Sequence, residues 1–234
     1  MKRIALLILM VGLCLCTVSA QSKTKSVNEK KYTMLCLGDS YTIGESVAES
    51  ERFPMQAAAL LAKDGIHFSE PQIIAKTGWT TDELIHAMQE AKVSGTFDYV
   101  TLLIGVNNQY RGYDTAVYRR EFTELLHTAI HYAAGNRQRV YVLSIPDWGV
   151  TPFGAADGKG RTPTQIGHEL DAYNAINKEV AAQEQVHYID ITPISRRATT
   201  DGALIANDNL HPSGKMYAQW AKLLAAAIAQ GIKK

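Results

Sequence analysis

The sequence predicts an α/β fold: a parallel sheet with helices on both faces. Three observations carry that expectation. Five short apolar runs recur along the chain, a segment of helical periodicity follows each of them, and the composition suits one sizeable core. The 234 residues are 46% hydrophobic and 20% charged, a balance that fits a single globular domain.

The elements follow in order. Tyr32–Leu37 precedes a helical pattern over Phe53–Lys63, and Gln72–Ala75 precedes Asp82–Lys92. Tyr99–Ile104 is followed by Ala116–Ala133, Val140–Ile145 by Gln165–Ala182, and Val186–Ile191 by Lys215–Ala229. Runs this short and this continuously apolar read as strands covered on both faces. Thr80 with Glu83 has the spacing of a capping box for the second helix. Strand then helix, five times over, calls for crossover connections and hence parallel pairing. The longest irregular stretch, Pro146–Pro163 or "PDWGVTPFGAADGKGRTP", reads either as a surface connection or as the wall of a binding site. There is no internal repeat and no low-complexity tract.

The amino terminus stands apart. Lys2 and Arg3 precede the apolar stretch Ile4–Val18, and Val18-Ser19-Ala20 offers small residues for cleavage. Residues 1–20 therefore read as an export signal cut after Ala20, residues 21–31 as a polar linker, and 32–234 as the folded domain. The apolar stretch is shorter than the roughly 20 residues of a spanning helix, so no stable membrane insertion is expected after cleavage. Lipidation at Cys14 or Cys16 is the alternative, but each follows a leucine where that processing wants a small residue. Removal of the signal leaves Cys36 as the one cysteine of the three. It cannot form an intramolecular disulfide and reads as a small buried hydrophobe. The 24 basic and 23 acidic side chains give a net charge of +1 with no long run of either sign, and nothing in this balance suggests a nucleic-acid partner.

In parallel sheets of this kind, ligands collect at the carboxyl ends of the strands. Ser40, Gly78 and Asn107 follow the first three strands, and His211 lies in the loop after the fifth. Locally each is ambiguous. In "LCLGDSYTIGES" the residues Gly38, Asp39 and Ser40 are also the commonest turn formers. Acyl transfer needs a serine, a base, a group that orients the base, and donors aimed at the developing oxyanion. "ANDNLHPSG" sets Asp208 three residues before His211, close enough for a tight turn to join them. Of the other histidines, His86, His127 and His131 fall in helical patterns, His67 and His187 beside strands, and His168 early in a helix. None has Asp three residues before it. The oxyanion donors would be the amides of Ser40 and Gly78 with the Asn107 side chain, glycine allowing close approach of the backbone.

Together these segments resemble the SGNH hydrolases, the GDSL esterase/lipase family. "GDSYTIG" resembles the first block with Ser40 as nucleophile, "KTGWTT" the second with Gly78, "IGVNNQ" the third with Asn107, and "DNLHPS" the last with Asp208 and His211. The blocks occur in the right order across the whole domain. The resemblance implies a flavodoxin-like three-layer α/β/α sandwich with a five-stranded parallel sheet. It also implies a serine esterase with a Ser40–His211–Asp208 triad, no cofactor and no metal, which with the amino-terminal export signal reads as a secreted enzyme. G-x-S-x-G, the nucleophile elbow of ordinary α/β-hydrolases, is absent. Two departures stand out: Tyr41 replaces the leucine of the family name, and Asn108 replaces an aspartate that is generally not the triad acid. Asp39 is expected to brace the nucleophile turn.

Exported members of the family include sugar O-acetyl esterases, lysophospholipases and thioesterases. Short connections around Ser40, Gly78 and Asn107, with no long apolar insertion, lead us to expect acyl groups from acetate to butyrate on a polar alcohol such as a sugar. Tyr41, Trp79, Tyr110, Arg111, Tyr113 and Trp148 offer flat faces with polar edges for such a substrate. Arg111 would instead meet a phosphate in a lysophospholipid. Two rival readings are a binding module that has lost turnover and a metal-dependent phosphoesterase using Asp39, Asn107, Asp208 and His211 as ligands.

Overall fold

The computed structural model describes residues 31–232. The expected signal peptide, and all of the linker except Lys31, lie outside the described residues.

Five parallel strands form one sheet in the order β2-β1-β3-β4-β5, with β1 at Met34–Gly38, β2 at Gln72–Ala75, β3 at Tyr99–Leu103, β4 at Val140–Leu143 and β5 at His187–Ile189. Their registers are parallel throughout, for example Gly38 opposite both Ala75 and Leu103. β1, β3 and β4 are buried along their whole length, which is why their sequences are apolar without alternation. β5 is shorter than the apolar run Val186–Ile191. Beyond Ile189 the backbone leaves the sheet because the Ser144 hydroxyl accepts the amides of Ile191 and Thr192 at 2.7 and 3.0 Å.

The helices are α1 (Ser40–Ile43), α2 (Phe53–Lys63), α3 (Thr81–Glu90), α4 (Val106–Arg111), α5 (Thr115–Tyr132), α6 (Pro152–Ala156), α7 (Pro163–Gln183), α8 (Thr192–Arg196) and α9 (Gly214–Ile232). α2 packs on α9 over one face of the sheet, while α3, α5 and α7 pack side by side over the other. On the first face Phe53, Leu61, Tyr217, Trp220 and Leu224 are fully buried, and on the second Leu84, Tyr118, Phe122, Leu125 and Ile166. Each contributes about 1.5–3 kcal/mol by leaving water. The Glu83 carboxylate accepts the Thr80 amide at 2.9 Å, the return half of the expected capping box.

The stretch Pro146–Pro163 is less irregular than its composition suggests. Trp148–Val150 forms a 3-10 turn and α6 follows it. Asp147 anchors the start: one carboxylate oxygen accepts the Gly149 amide at 2.9 Å and the other accepts the Arg196 guanidinium at 2.9 Å. Thr162 caps α7 at the far end, with its hydroxyl accepting the Gln165 amide.

Candidate active site

β1 ends on Gly38, where a Cβ would collide with the Leu103 carbonyl oxygen and the Thr42 side chain. Only glycine lets the chain turn there. Asp39 then caps α1, accepting the Tyr41 amide at 3.0 Å. Ser40 becomes the first residue of that helix, so its own amide has no intrahelical partner. Ser40 is 5% exposed, and its hydroxyl makes no hydrogen bond among the described residues.

The last block brings Asp208 and His211 together. His211 Nδ1 and Asp208 Oδ2 are 2.6 Å apart. The other Asp208 oxygen accepts the amides of Leu210 and His211 at 3.0 and 2.9 Å. Burial opposes the Asp208 charge, but the Ser46 hydroxyl at 2.6 Å, these two amides and the His211 ring together hold its carboxyl well below the usual carboxylate range. An anionic Asp208 is an acceptor, so His211 carries its proton on Nδ1 and leaves Nε2 as the basic nitrogen. The Tyr41 ring meets the imidazole edge-on with centroids 5.7 Å apart and fixes its tilt.

Gly78 sits in the turn after β2 with φ +87°, a left-handed conformation that favours glycine. Its carbonyl accepts Arg111 Nη2 at 2.7 Å. Asn107 lies in the first turn of α4, and its side-chain amide donates to the Trp79 carbonyl at 2.9 Å, leaving a second hydrogen on the same nitrogen. These segments meet at one cleft of about 190 Å³, lined by Ser40, Tyr41, Gly78, Asn107, Tyr110, Trp148 and His211 together with Thr77, Val106, Phe153 and Leu210. A larger groove of about 620 Å³ beside Met88, Glu124 and His127 contains none of the four blocks.

The structure sorts the expected contact residues. Tyr41 and Trp148 reach the cleft but are each only 3% exposed, so they form walls more than stacking platforms. Tyr110 lies at the wall, half-buried. Trp79, Arg111 and Tyr113 are not part of the wall. The Trp79 ring packs on the core, Arg111 is taken by Glu83 and the Gly78 carbonyl, and the Tyr113 carbonyl accepts the Tyr173 hydroxyl at 2.7 Å. Sequence reasoning missed Val106, Phe153, Leu210 and Ser46. Leu210 adjoins His211, but nothing near Ser46 points to an aspartate 162 positions away.

Asn108 is fully buried. Its amide nitrogen donates to the Thr81 hydroxyl at 2.7 Å and its oxygen accepts the Thr81 amide at 3.1 Å, stitching α4 to the start of α3. An asparagine meets both needs at once, whereas an ionised aspartate has acceptors only. With Asn107 as the expected oxyanion donor, Asn107→Ala should lower kcat about a hundredfold to a thousandfold, whereas Asn108→Ala should chiefly lower the melting temperature. Steady-state kinetics beside thermal melts check the pair; the reverse pattern would misplace the third block.

Asp39 is fully buried, and one carboxylate oxygen has no partner. Burial pushes its carboxyl up to about 7, against the lowering effect of the Tyr41 amide and its own. Between about pH 4, where the unfolded residue ionises, and pH 7, the native state therefore holds the proton more tightly, and stability falls as pH rises. The full effect is up to about 4 kcal/mol. The melting temperature of the wild type relative to Asp39→Asn should accordingly decline from pH 4 to 7. A constant difference would contradict this burial effect. Among the described residues, no three His, Cys, Asp or Glu side chains gather in a way that could hold a metal ion.

Comparison with known proteins bears on the family and the fold. The GDSL-like Lipase/Acylhydrolase family model matches residues 36–219. Among solved structures, a lipase/acylhydrolase from Enterococcus faecalis is 20% identical with a TM-score of 0.59, covering 84% of this chain and 95% of that one. A psychrotrophic esterase from Pseudoalteromonas sp., inhibited by monoethylphosphonate, is 16% identical with a TM-score of 0.61 over 87% of this chain and 100% of that one. An acetyl xylan esterase from Geobacillus stearothermophilus is 17% identical with a TM-score of 0.60, covering 84% and 94%. At such identities the likeness is one of fold. No curated protein sequence matches the chain. The family match runs from β1 into α9 and takes in all four blocks, and the chain belongs to the GDSL-like lipase/acylhydrolase family and is a carboxylic ester hydrolase.

Proposed function

We propose that the protein is an exported serine esterase that removes short acyl groups from a polar alcohol such as a sugar. Ser40 attacks the ester carbonyl while His211 Nε2 takes its proton, and Asp208 holds the imidazole in the required tautomer. The amides of Ser40 and Gly78 and the free hydrogen of Asn107 Nδ2 receive the oxyanion. The imidazolium then protonates the leaving alcohol. Water, activated by His211 in turn, attacks the acyl-enzyme, and collapse of the second tetrahedral intermediate returns the proton to Ser40. The 2.6 Å contact of Asp208 with His211, whose ring lines the same cleft as Ser40, is the observation that carries this reading.

The size of the cleft supports the acyl class. Its volume of about 190 Å³ lies below the roughly 300–1,000 Å³ of sites for drug-sized ligands, and the enclosing side chains are largely apolar. Such a space suits an acetyl to butyryl chain, with the alcohol directed outward. Specificity constants for 4-nitrophenyl esters from acetyl to palmitoyl, below the micelle threshold, test this. A maximum at or below butyryl is expected, whereas a preference for chains beyond octanoyl would favour the lysophospholipase or thioesterase reading. Export rests on residues 1–20, and no helix of the described residues is long and apolar enough to cross a membrane. The intact mass of the mature protein, beginning at Gln21, checks the cleavage; retention of residues 1–20 would contradict it.

A further inference from the structure

Gln109 is 1% exposed and lies directly behind the cleft, two residues after Asn107. Its side chain joins two groups with opposite demands. The Trp148 indole N–H donates to Gln109 Oε1 at 2.8 Å, and Gln109 Nε2 donates to Glu169 Oε2 at 2.6 Å. The indole can only donate and the carboxylate can only accept, so these partners fix the amide orientation. A glutamate at 109 would set two carboxylates face to face, and a leucine would leave the Trp148 indole N–H without its acceptor while Glu169 kept only its bond from Arg161.

Arg161 closes the same network from the long loop. Its Nη1 donates to Glu169 at 3.0 Å and to the Gln109 carbonyl at 3.0 Å, Nη2 to the Tyr110 carbonyl at 3.1 Å, and Nε to the Gly158 carbonyl at 3.1 Å. Two of these carbonyls belong to the last turn of α4, where a cation is favoured. The held ring is itself a wall. Trp148 meets Tyr110 edge-on at 5.4 Å and Phe153 at 6.1 Å, and all three line the cleft.

We propose that Gln109 is a positioning residue that sets the acyl-length limit of the enzyme by pinning Trp148 as a fixed wall of the acyl cleft. The inference rests on the reading of this cleft as the acyl site. Releasing the indole lets the ring move and opens room for further methylenes. One methylene in an apolar pocket alters discrimination about tenfold or more.

The test compares wild type, Gln109→Leu, Trp148→Phe and the double variant. Trp148→Phe removes the indole N–H but also shrinks the wall, so Gln109→Ala, which removes only the acceptor, decides the question if Gln109→Leu does not fold. The readout is the ratio of kcat/KM for 4-nitrophenyl octanoate to that for the butyrate. Each single variant should raise this ratio about tenfold, and the double variant no further than the larger single effect, because both changes break one bond. Unchanged ratios in folded variants, or fully additive effects, would overturn the proposal. A wild type that itself prefers octanoate would overturn the short-acyl reading instead, and the shift in the variants would still judge Gln109. If no ester is hydrolysed, binding of butyrate and octanoate replaces turnover. The wild type and Gln109→Leu are followed by the Trp148 indole N–H resonance, and Trp148→Phe by calorimetry. The octanoate preference should rise in both variants, and an unchanged preference would overturn the proposal.

Discussion

Ser40→Ala is expected to lower kcat/KM for ester hydrolysis by about a thousandfold or more while leaving the fold intact. The hydroxyl makes no hydrogen bond among the described residues, so its removal leaves no buried partner unsatisfied. The turn is built by other groups: Gly38 provides the space, and the Asp39 carboxylate accepts the Tyr41 amide. Alanine at the first position of a short helix keeps the backbone conformation and is a strong helix former. A melting curve that overlays the wild type, beside kinetics on 4-nitrophenyl acetate, checks both halves. Wild-type turnover by the folded variant would remove Ser40 from the mechanism.

His211→Ala should be nearly as damaging, again about a thousandfold or more, because among the described residues no other imidazole lies on the cleft wall. Added imidazole should restore part of the activity, since the vacated space adjoins Asp208 and opens on the cleft that Ser40 lines. A merely structural histidine would show no such rescue. Asp208→Asn should leave more activity than His211→Ala. The asparagine oxygen can still accept the amides of Leu210 and His211, so the loop survives, while its amide group would favour the wrong tautomer of the ring. An Asp208→Asn protein as inactive as His211→Ala would show that orientation of the base carries more than this account assigns it.

The parts of the molecule legible in the sequence are those that local chemistry dictates. A strand buried on both faces must be continuously apolar, so β1, β3 and β4 announce themselves. α2, the first long helix, matches its periodicity from Phe53 to Lys63. The helices α1, α4, α6 and α8 have four to six residues, too few for a 3.6-residue repeat to show. Within the site, Asp208 and His211 are legible because a three-residue spacing lets one turn join them. Ser46 on Asp208, and Gln109 between Trp148 and Glu169, are not. Those partners are 162, 39 and 60 positions apart, and only the packed sheet and loops bring them together. Trp79 and Arg111 show the converse, since each neighbours a site residue in sequence while its side chain serves the core or the Gly78 turn.

The central claim is that Ser40 is the nucleophile, activated by His211 in this cleft. The most direct measurement is the intact mass of the protein after reaction with a 4-nitrophenyl alkylphosphonate, followed by peptide mapping. One phosphonyl adduct per chain is expected, located on Ser40, with the rate of labelling falling at least a hundredfold in His211→Ala and no adduct in Ser40→Ala. A stoichiometric adduct on any other residue, or labelling of Ser40 at the same rate without His211, would contradict the account.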